Sequence, residues 1–192
     1  MITAETIISI CLGIGLSASV GFRVFLPLFA LSLAAYFDVW VLNESWQWVA
    51  STPALVTLGV ATLVEVCAYF IPYIDNLLDS IAIPLAALAG TAVMLSTVAN
   101  LSPVITWALA IIAGGGTASV VAGSSSTTRL ASTATTGGIA NPLVSLIETG
   151  TAMFMSVISI FIPFLAIVLV AFIFFIIYKI YKKFKKPVAK NL

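Results

Sequence analysis

A stretch rich in serine, threonine and glycine, residues 113–142, constrains this chain more than any other feature. It is almost free of large side chains, carries Arg129 as its one charge, and lies between two strongly apolar segments. In water, such a composition is typical of a flexible linker. At membrane depth, polar and irregular backbone must instead be buried in protein or line a watery cavity. Both arrangements stay open at this point.

Composition indicates that a lipid bilayer is the solvent. The chain has 61% hydrophobic and 8% charged residues, whereas average soluble domains have about 25% charged residues. It lacks histidine, the commonest metal ligand and general base. Cys11 and Cys67 lie far apart in apolar context, which predicts buried small side chains rather than a disulfide or a metal pair. We therefore expect no metal, no cofactor, no enzymatic activity and no nucleic-acid partner.

The apolar segments predict an all-α integral membrane protein with about six transmembrane helices, since a span needs roughly 20 apolar residues. A break is expected at Arg23, followed by a half-helix that is too short to cross a bilayer, over residues 24–37. Further breaks are expected at residues 123–128 and 135–138, so the fold includes broken or re-entrant half-helices. The predicted spans are residues 7–20, 53–73, 81–99, 104–121, 142–160 and 163–181.

The connections carry interfacial and polar signals. Residues 38–52 mix three tryptophans with polar side chains, which predicts a surface loop with a short helix at the membrane–water interface. Asp75 and Asp79 lie on one helical face, in either a solvated turn or a vestibule. Lysines after the last span place both termini in the cytoplasm of an inner (plasma) membrane protein, with a basic tail at residues 182–192.

The two halves of the chain share an order of short features. An Ala-Ser-Val motif precedes an arginine at a break, Arg23 or Arg129, and a span with one glutamate follows, Glu65 or Glu148. With three spans per half, this predicts a single membrane domain made of two inverted repeats, residues 5–100 and 103–181. Inverted repeats with discontinuous helices are common in transporters, where the site lies at the midplane.

Four charged residues fall inside the predicted bilayer: Arg23, Glu65, Arg129 and Glu148. Each costs roughly 2.5–3.5 kcal/mol at the bilayer centre on insertion scales, so we expect arginine–glutamate pairing. The pairs are either structural clamps or part of an ion or substrate path. The predicted substrate or ion site comprises Arg23, Glu65, Ser125, Thr128, Arg129, Thr135, Asn141 and Glu148, with Asp75 and Asp79 as a possible vestibule.

The sign of a bound ion stays open. Arg129 beside freed backbone N–H groups suits an anion or a carboxylate-bearing solute. The same hydroxyls near Glu148 would suit a small cation. A third interpretation is that the small residues only let helices pack closely, with serine and threonine capping the breaks.

Residues 113–148 resemble the signature of bacterial membrane proteins grouped as domain of unknown function 4126. The shared elements are Gly-Gly-Gly-Thr, Arg-Leu-Ala-Ser-Thr-Ala-Thr-Thr-Gly-Gly, and Asn-Pro-Leu before a helix with a glutamate. Residues 21–23 and 71–75 are also similar to that family, whereas the uniform GSSSTTR run departs from it. The resemblance implies a membrane protein and no particular biochemistry.

Two functional hypotheses follow. The first is a transporter or channel for a small ion or solute, with a midplane site between the repeats. The second is a structural, assembly or lipid-binding membrane subunit without transport activity. An intramembrane enzyme would need serine or carboxylate chemistry and is not expected. The expected partners are membrane lipid and either a second copy of the chain or a larger membrane complex.

Overall fold

The computed structural model describes residues 3–71, 74–99 and 101–184, and within these residues every regular element is a helix. The predicted all-α class is therefore confirmed. The elements in chain order are α1 (Ala4–Val20), α2 (Phe25–Tyr36), a 3-10 helix (Glu44–Ala50), α3 (Thr52–Ala68), α4 (Ile74–Thr97), α5 (Pro103–Leu109), a π-helical segment (Ala110–Gly115), α6 (Gly116–Thr136), α7 (Asn141–Phe161) and α8 (Pro163–Phe184).

Four helical stretches are long and apolar enough to cross a membrane: α4, the continuous run Pro103–Thr136, α7, and Pro163–Lys183 of α8. The 3-10 helix and α3, bent by 66° at their junction, form a fifth if they count as one broken span. The prediction of six spans is not confirmed. It counted α1, which has 17 residues and rises only about 26 Å.

Helix α1 lies at the centre of the molecule and packs against α4, α7 and α8. Its buried face combines Leu12 and Leu16 with small polar residues. Ser17 Oγ donates to the Gly90 carbonyl oxygen of α4 at 3.1 Å, and Ser19 Oγ donates to the Ala152 carbonyl oxygen of α7 at 2.6 Å. Because these hydroxyls find partners on neighbouring helices, α1 can bury polar groups without leaving them unsatisfied.

The two predicted helix breaks of the serine-rich stretch have different outcomes. The prediction of a break at residues 123–128 is wrong, because these residues lie inside α6. Thr127 Oγ1 and Thr128 Oγ1 donate to carbonyl oxygens one turn back, at 2.7 and 2.9 Å, so the hydroxyls are satisfied within the helix. The second break is confirmed at Gly137 and Gly138, which have positive φ angles of 65° and 88°. The helix thus ends in a left-handed glycine cap.

Other boundaries also shift. Asp75 and Asp79, for which a solvated turn and a vestibule were both open, lie in the first turns of α4, which begins at Ile74. The tryptophan-rich loop contains the expected short helix, the 3-10 helix, whose Val49 is buried. Cys11 is buried as predicted, whereas Cys67 is exposed.

The predicted internal repeat is only partly matched by helix boundaries. Arg23 lies in the break between α1 and α2, as expected, but Arg129 lies inside continuous α6 rather than at a break. The inverted repeat and the two-repeat domain organisation stay predictions. Of the basic tail, Lys182 and Lys183 belong to α8, and residues 185–192 lie outside the described part of the chain.

Close backbone packing joins α4 to the π-helical segment. A Cβ atom added at Gly114 would lie 2.5 Å from the Gly90 carbonyl oxygen and 2.7 Å from the Met94 Cβ. Real Cβ atoms do not approach backbone oxygen this closely, so glycine is required at this crossing. The π-helical turn begins in the middle of an apolar run, and the glycines Gly114 and Gly115 face α4 at its end.

We predict that Gly114→Ala lowers the free energy of unfolding by about 1–3 kcal/mol, since the added methyl group forces backbone atoms apart. Gly150→Ala is the matched control, because nothing lies within 4 Å of a Cβ at Gly150 in α7. The control should be neutral or stabilising by up to about 1 kcal/mol through helix propensity. Thermal unfolding in detergent measures both, and equal Tm values would contradict the close packing.

Candidate functional site

Glu148 of α7 is the centre of a buried charge cluster. Its carboxylate accepts hydrogen bonds from Arg129 Nη2, from Arg129 Nε at 3.3 Å, and from Ser125 Oγ, and it lies 3.6 Å from Arg23 Nη2. The Glu148 residue is 5% exposed. One carboxylate is therefore shared by two guanidinium groups from different parts of the chain. We define the charge cluster as Arg23, Tyr69, Asp79, Arg129 and Glu148.

Arg23 reaches the cluster from the break between α1 and α2. Its Nε donates to Thr149 Oγ1 at 2.9 Å, and its Nη2 donates to the Ser145 carbonyl oxygen at 2.9 Å and to Ser145 Oγ at 2.5 Å. Since Ser145, Glu148 and Thr149 share one face of α7 at helical spacing, this helix supplies most of the acceptors for the arginine.

Arg129 reaches the cluster from the middle of α6. Besides Glu148, its Nε lies 3.7 Å from Asp79 Oδ1 of α4. Asp79 thus joins the cluster through Arg129, and the vestibule interpretation of this residue stays a prediction. The arginine residue itself is 2% exposed, so its charge is almost completely removed from solvent and depends on these carboxylates.

The aromatic ring of Tyr69 completes the cluster. The Cζ atoms of Arg23 and Arg129 lie 4.0 and 4.2 Å from the ring centroid, well within the range of cation–π attraction. Sequence reasoning missed this residue. Its signal was the spacing of four residues from Glu65, which places both side chains on one face of α3 and of the helical residue that follows it.

Each arginine keeps one nitrogen without a partner. Nη1 of Arg23 and Nη1 of Arg129 are both buried and make no hydrogen bond among the described residues. A guanidinium has five N–H donors, and unmade hydrogen bonds of buried charged groups are costly. The cluster therefore has donor capacity that the acceptors of residues 3–71, 74–99 and 101–184 do not use.

Glu65 has a different role from the one its sequence position predicted. It accepts hydrogen bonds from the backbone N–H groups of Val24 at 2.7 Å and Phe25 at 3.0 Å. These are orphan donors at the start of α2, so Glu65 caps that helix from α3. No carboxylate oxygen of Glu65 lies within ion-pair distance of either arginine in the described residues. Arginine–glutamate pairing is thus concentrated on Glu148.

Asn141 and Asp75 form a second polar group next to the cluster. Asn141 Nδ2 donates to Asp75 Oδ2 at 3.1 Å and to Thr133 Oγ1 at 3.0 Å. Both Asn141 and Asp75 are buried. Thr128 and Thr135, by contrast, are exposed and donate to carbonyl oxygens of their own helix. The structure therefore does not bring these two predicted site residues to the others.

Two open clefts meet at Tyr69. The polar cleft, of about 350 Å³, is lined by Tyr69, Asp75, Asn76, Thr133 and Asn141 among others. The apolar cleft, of about 380 Å³, lies between α3 and α4 near the start of α2 and has Glu65 and Tyr69 in its wall. Tyr69 thus contacts both arginines and separates a polar space from an apolar one.

The described residues contain no group of three or more histidine, cysteine, aspartate or glutamate side chains that could hold a metal ion. They define an all-helical protein with four or five helices able to cross a membrane and a buried arginine–glutamate cluster between them. The chain belongs to the family described as Domain of unknown function (DUF4126), whose model matches residues 10–183. No curated protein and no solved structure matches the chain.

We predict that Tyr69→Leu lowers the free energy of unfolding by about 2 kcal/mol, because both desolvated guanidinium groups lose an aromatic face. Tyr69→Phe is the matched control, since it keeps the ring and should lose much less. Thermal unfolding of the three proteins in the same detergent provides the comparison. If the leucine and phenylalanine variants unfold at the same temperature, the ring does not stabilise the arginines.

Proposed function

We propose that this protein is a small transporter or channel of the cell inner membrane that binds a small anionic solute at the charge cluster. The observation that supports it is the pair of buried arginines whose Nη1 groups find no acceptor in the described part of the chain. Carboxylate and phosphate groups match the planar donor geometry of guanidinium. An entering anion would take these donors while Glu148 continues to hold Arg129 through Nε and Nη2.

The electrostatics of the cluster favour weak, reversible binding. Glu148 and Asp79 carry two negative charges against the two positive charges of Arg23 and Arg129, so the resident groups already balance. An added anion would therefore bind the unused Nη1 donors of a balanced cluster rather than fill an empty positive well. Transport requires that a solute can leave as well as enter, and a neutral cluster with spare donors meets that requirement.

The route by which a solute would reach the charge cluster supports the same proposal. The polar cleft extends from the surface to Tyr69, and Tyr69 contacts both arginines. A solute in this cleft would be one aromatic ring away from the charge cluster. Displacement of the Tyr69 side chain is therefore the conformational step that we propose for entry. In this proposal the cluster is the midplane site of two inverted repeats, with both termini in the cytoplasm.

We predict that Arg129→Gln and Arg23→Gln each reduce anion flux at least about tenfold, the effect of losing a charge-assisted hydrogen bond of about 1.5–3 kcal/mol. Proteoliposomes loaded with chloride, acetate or phosphate in turn would provide the assay. Thr135→Ala is the matched control, because Thr135 lies on α6 like Arg129 but is exposed and outside the cluster.

Size-exclusion profiles and helical circular dichroism would show which variants remain folded. Folded arginine variants that pass every anion at the wild-type rate would refute the proposed site. A wild-type protein that passes none of the three anions, in vesicles verified to contain it, would refute transport of small anions.

The second candidate function is lipid binding without transport. The apolar cleft supports it, since its walls include the exposed residues Val60 and Val64 of α3. In a bilayer, this cleft would open toward acyl chains. A lipid tail lying along α3 and α4 would then place its end near Tyr69 and Glu65.

For this second function, we predict that Ala82→Phe reduces lipid retention, because a phenyl group would occupy part of the cleft. Native mass spectrometry of the detergent-solubilised protein would count bound lipid. Gly150→Ala again serves as the control, since Gly150 lies on α7 and is not among the residues that line the cleft. Equal lipid counts for all three proteins would exclude the cleft as a lipid site.

A further inference from the structure

Asp75 is a buried carboxylate that pairs with no lysine or arginine among the residues the structure describes. It lies in the first turn of α4, is 5% exposed, and forms no ion pair with any lysine or arginine in the described part of the chain. Among the described residues, its oxygens accept from the Asn76 backbone N–H at 2.7 Å and from Asn141 Nδ2 at 3.1 Å. The helix dipole offsets part of the cost of burying this charge, but a buried carboxylate normally requires a cation or a proton.

The side-chain oxygen of Asn141, next to Asp75, is also an acceptor that lacks a donor or a cation among the described residues. Asn141 is 4% exposed and uses both hydrogens of Nδ2, one on Asp75 and one on Thr133, while its Oδ1 makes no hydrogen bond among the described residues. Rotating the amide would place Oδ1 against the Asp75 carboxylate, and two acceptors repel. The orientation is therefore determined by Asp75, and Oδ1 is left requiring a donor or a cation.

We propose that the polar cleft holds a monovalent cation bound by Asp75 and Asn141 Oδ1. The two residues line the same cleft of about 350 Å³ and are almost completely buried, so the ion would lie in the wall of the cleft rather than in its open part. A carboxylate has about four lone-pair positions, of which two are used, and an amide oxygen is a good ligand for hard cations. Water in the cleft completes the coordination.

The charge of the site selects a monovalent ion. Divalent Ca²⁺ and Mg²⁺ sites draw on several carboxylates or on phosphate oxygens. Asp79, the next carboxylate along α4, already faces Arg129. Asp75 alone balances one positive charge, which matches Na⁺ or K⁺. This site is separate from the charge cluster, and its occupancy does not depend on whether the protein moves an anion.

The test is the Tm of the full-length chain in detergent, with choline chloride replaced by NaCl or KCl at constant total chloride. A cation that binds the folded state raises the Tm in a saturable way, by about 5–10 °C at a hundredfold excess over its Kd. Equilibrium dialysis with radioactive sodium or a potassium analogue should give one ion per chain. Neither measurement requires flux, so this proposal and the transport proposal can fail independently.

Three variants locate the site. Asp75→Asn keeps the side-chain shape and removes the unpaired charge, so it should fold without added cation and show no shift. Asn141→Ala should also lose the shift, whereas Asn76→Ala should keep it, because Asn76 is exposed in the same cleft and contributes only its backbone N–H. The proposal is overturned if wild-type Tm is the same in choline, sodium and potassium, if Asp75→Asn responds like wild type, or if low millimolar Mg²⁺ or Ca²⁺ gives the larger shift.

Discussion

The shared carboxylate of Glu148 is the interaction on which the centre of this protein depends. Two arginines that are almost completely buried each need a carboxylate partner, because an unpaired guanidinium inside the protein costs several kcal/mol. Arg23 comes from a break between two short helices, and Arg129 comes from the longest helical run. Their common partner therefore ties the α1–α2 break and α6 to α7. The apolar surfaces of these helices bring them together, and the charges specify how they align.

Helix α3 acts as the support of this arrangement. Glu65 holds the first N–H groups of α2 and so determines where the break that carries Arg23 lies. Tyr69 follows four residues later and presents its ring to both arginines. The same helix thus contributes a cap, an aromatic contact and one wall of the apolar cleft. A movement of α3 would change all three at once, which gives the proposed entry step a physical basis.

Prediction from the sequence succeeded where the residue types present allow only one stable local structure or environment. Asn141-Pro142 predicted the start of α7, Gly137-Gly138 the end of α6, and four intramembrane charges the need for burial with partners. It failed at residues 123–128, because serine and threonine hydroxyls can bond to their own helix as readily as they can mark a break. Asp75 and Asp79 were compatible with a solvated turn or with a vestibule, and only the structure placed them in the first turns of α4. The sequence did not determine which residue pairs with each charge, since the pairing depends on which helices pack against one another.

The sequence by itself determined that this chain is all-helical, is apolar enough for a bilayer, and has to bury two arginines and two glutamates. Those conclusions follow from local energetics: backbone hydrogen bonds must be satisfied, and charges in an apolar medium need partners. Only the tertiary structure decided that both arginines share Glu148, that Glu65 caps a helix instead, and that Tyr69 separates two clefts. Several pairings of these side chains have a similar local free energy. The packing of α1, α3, α6 and α7 determines which of them forms.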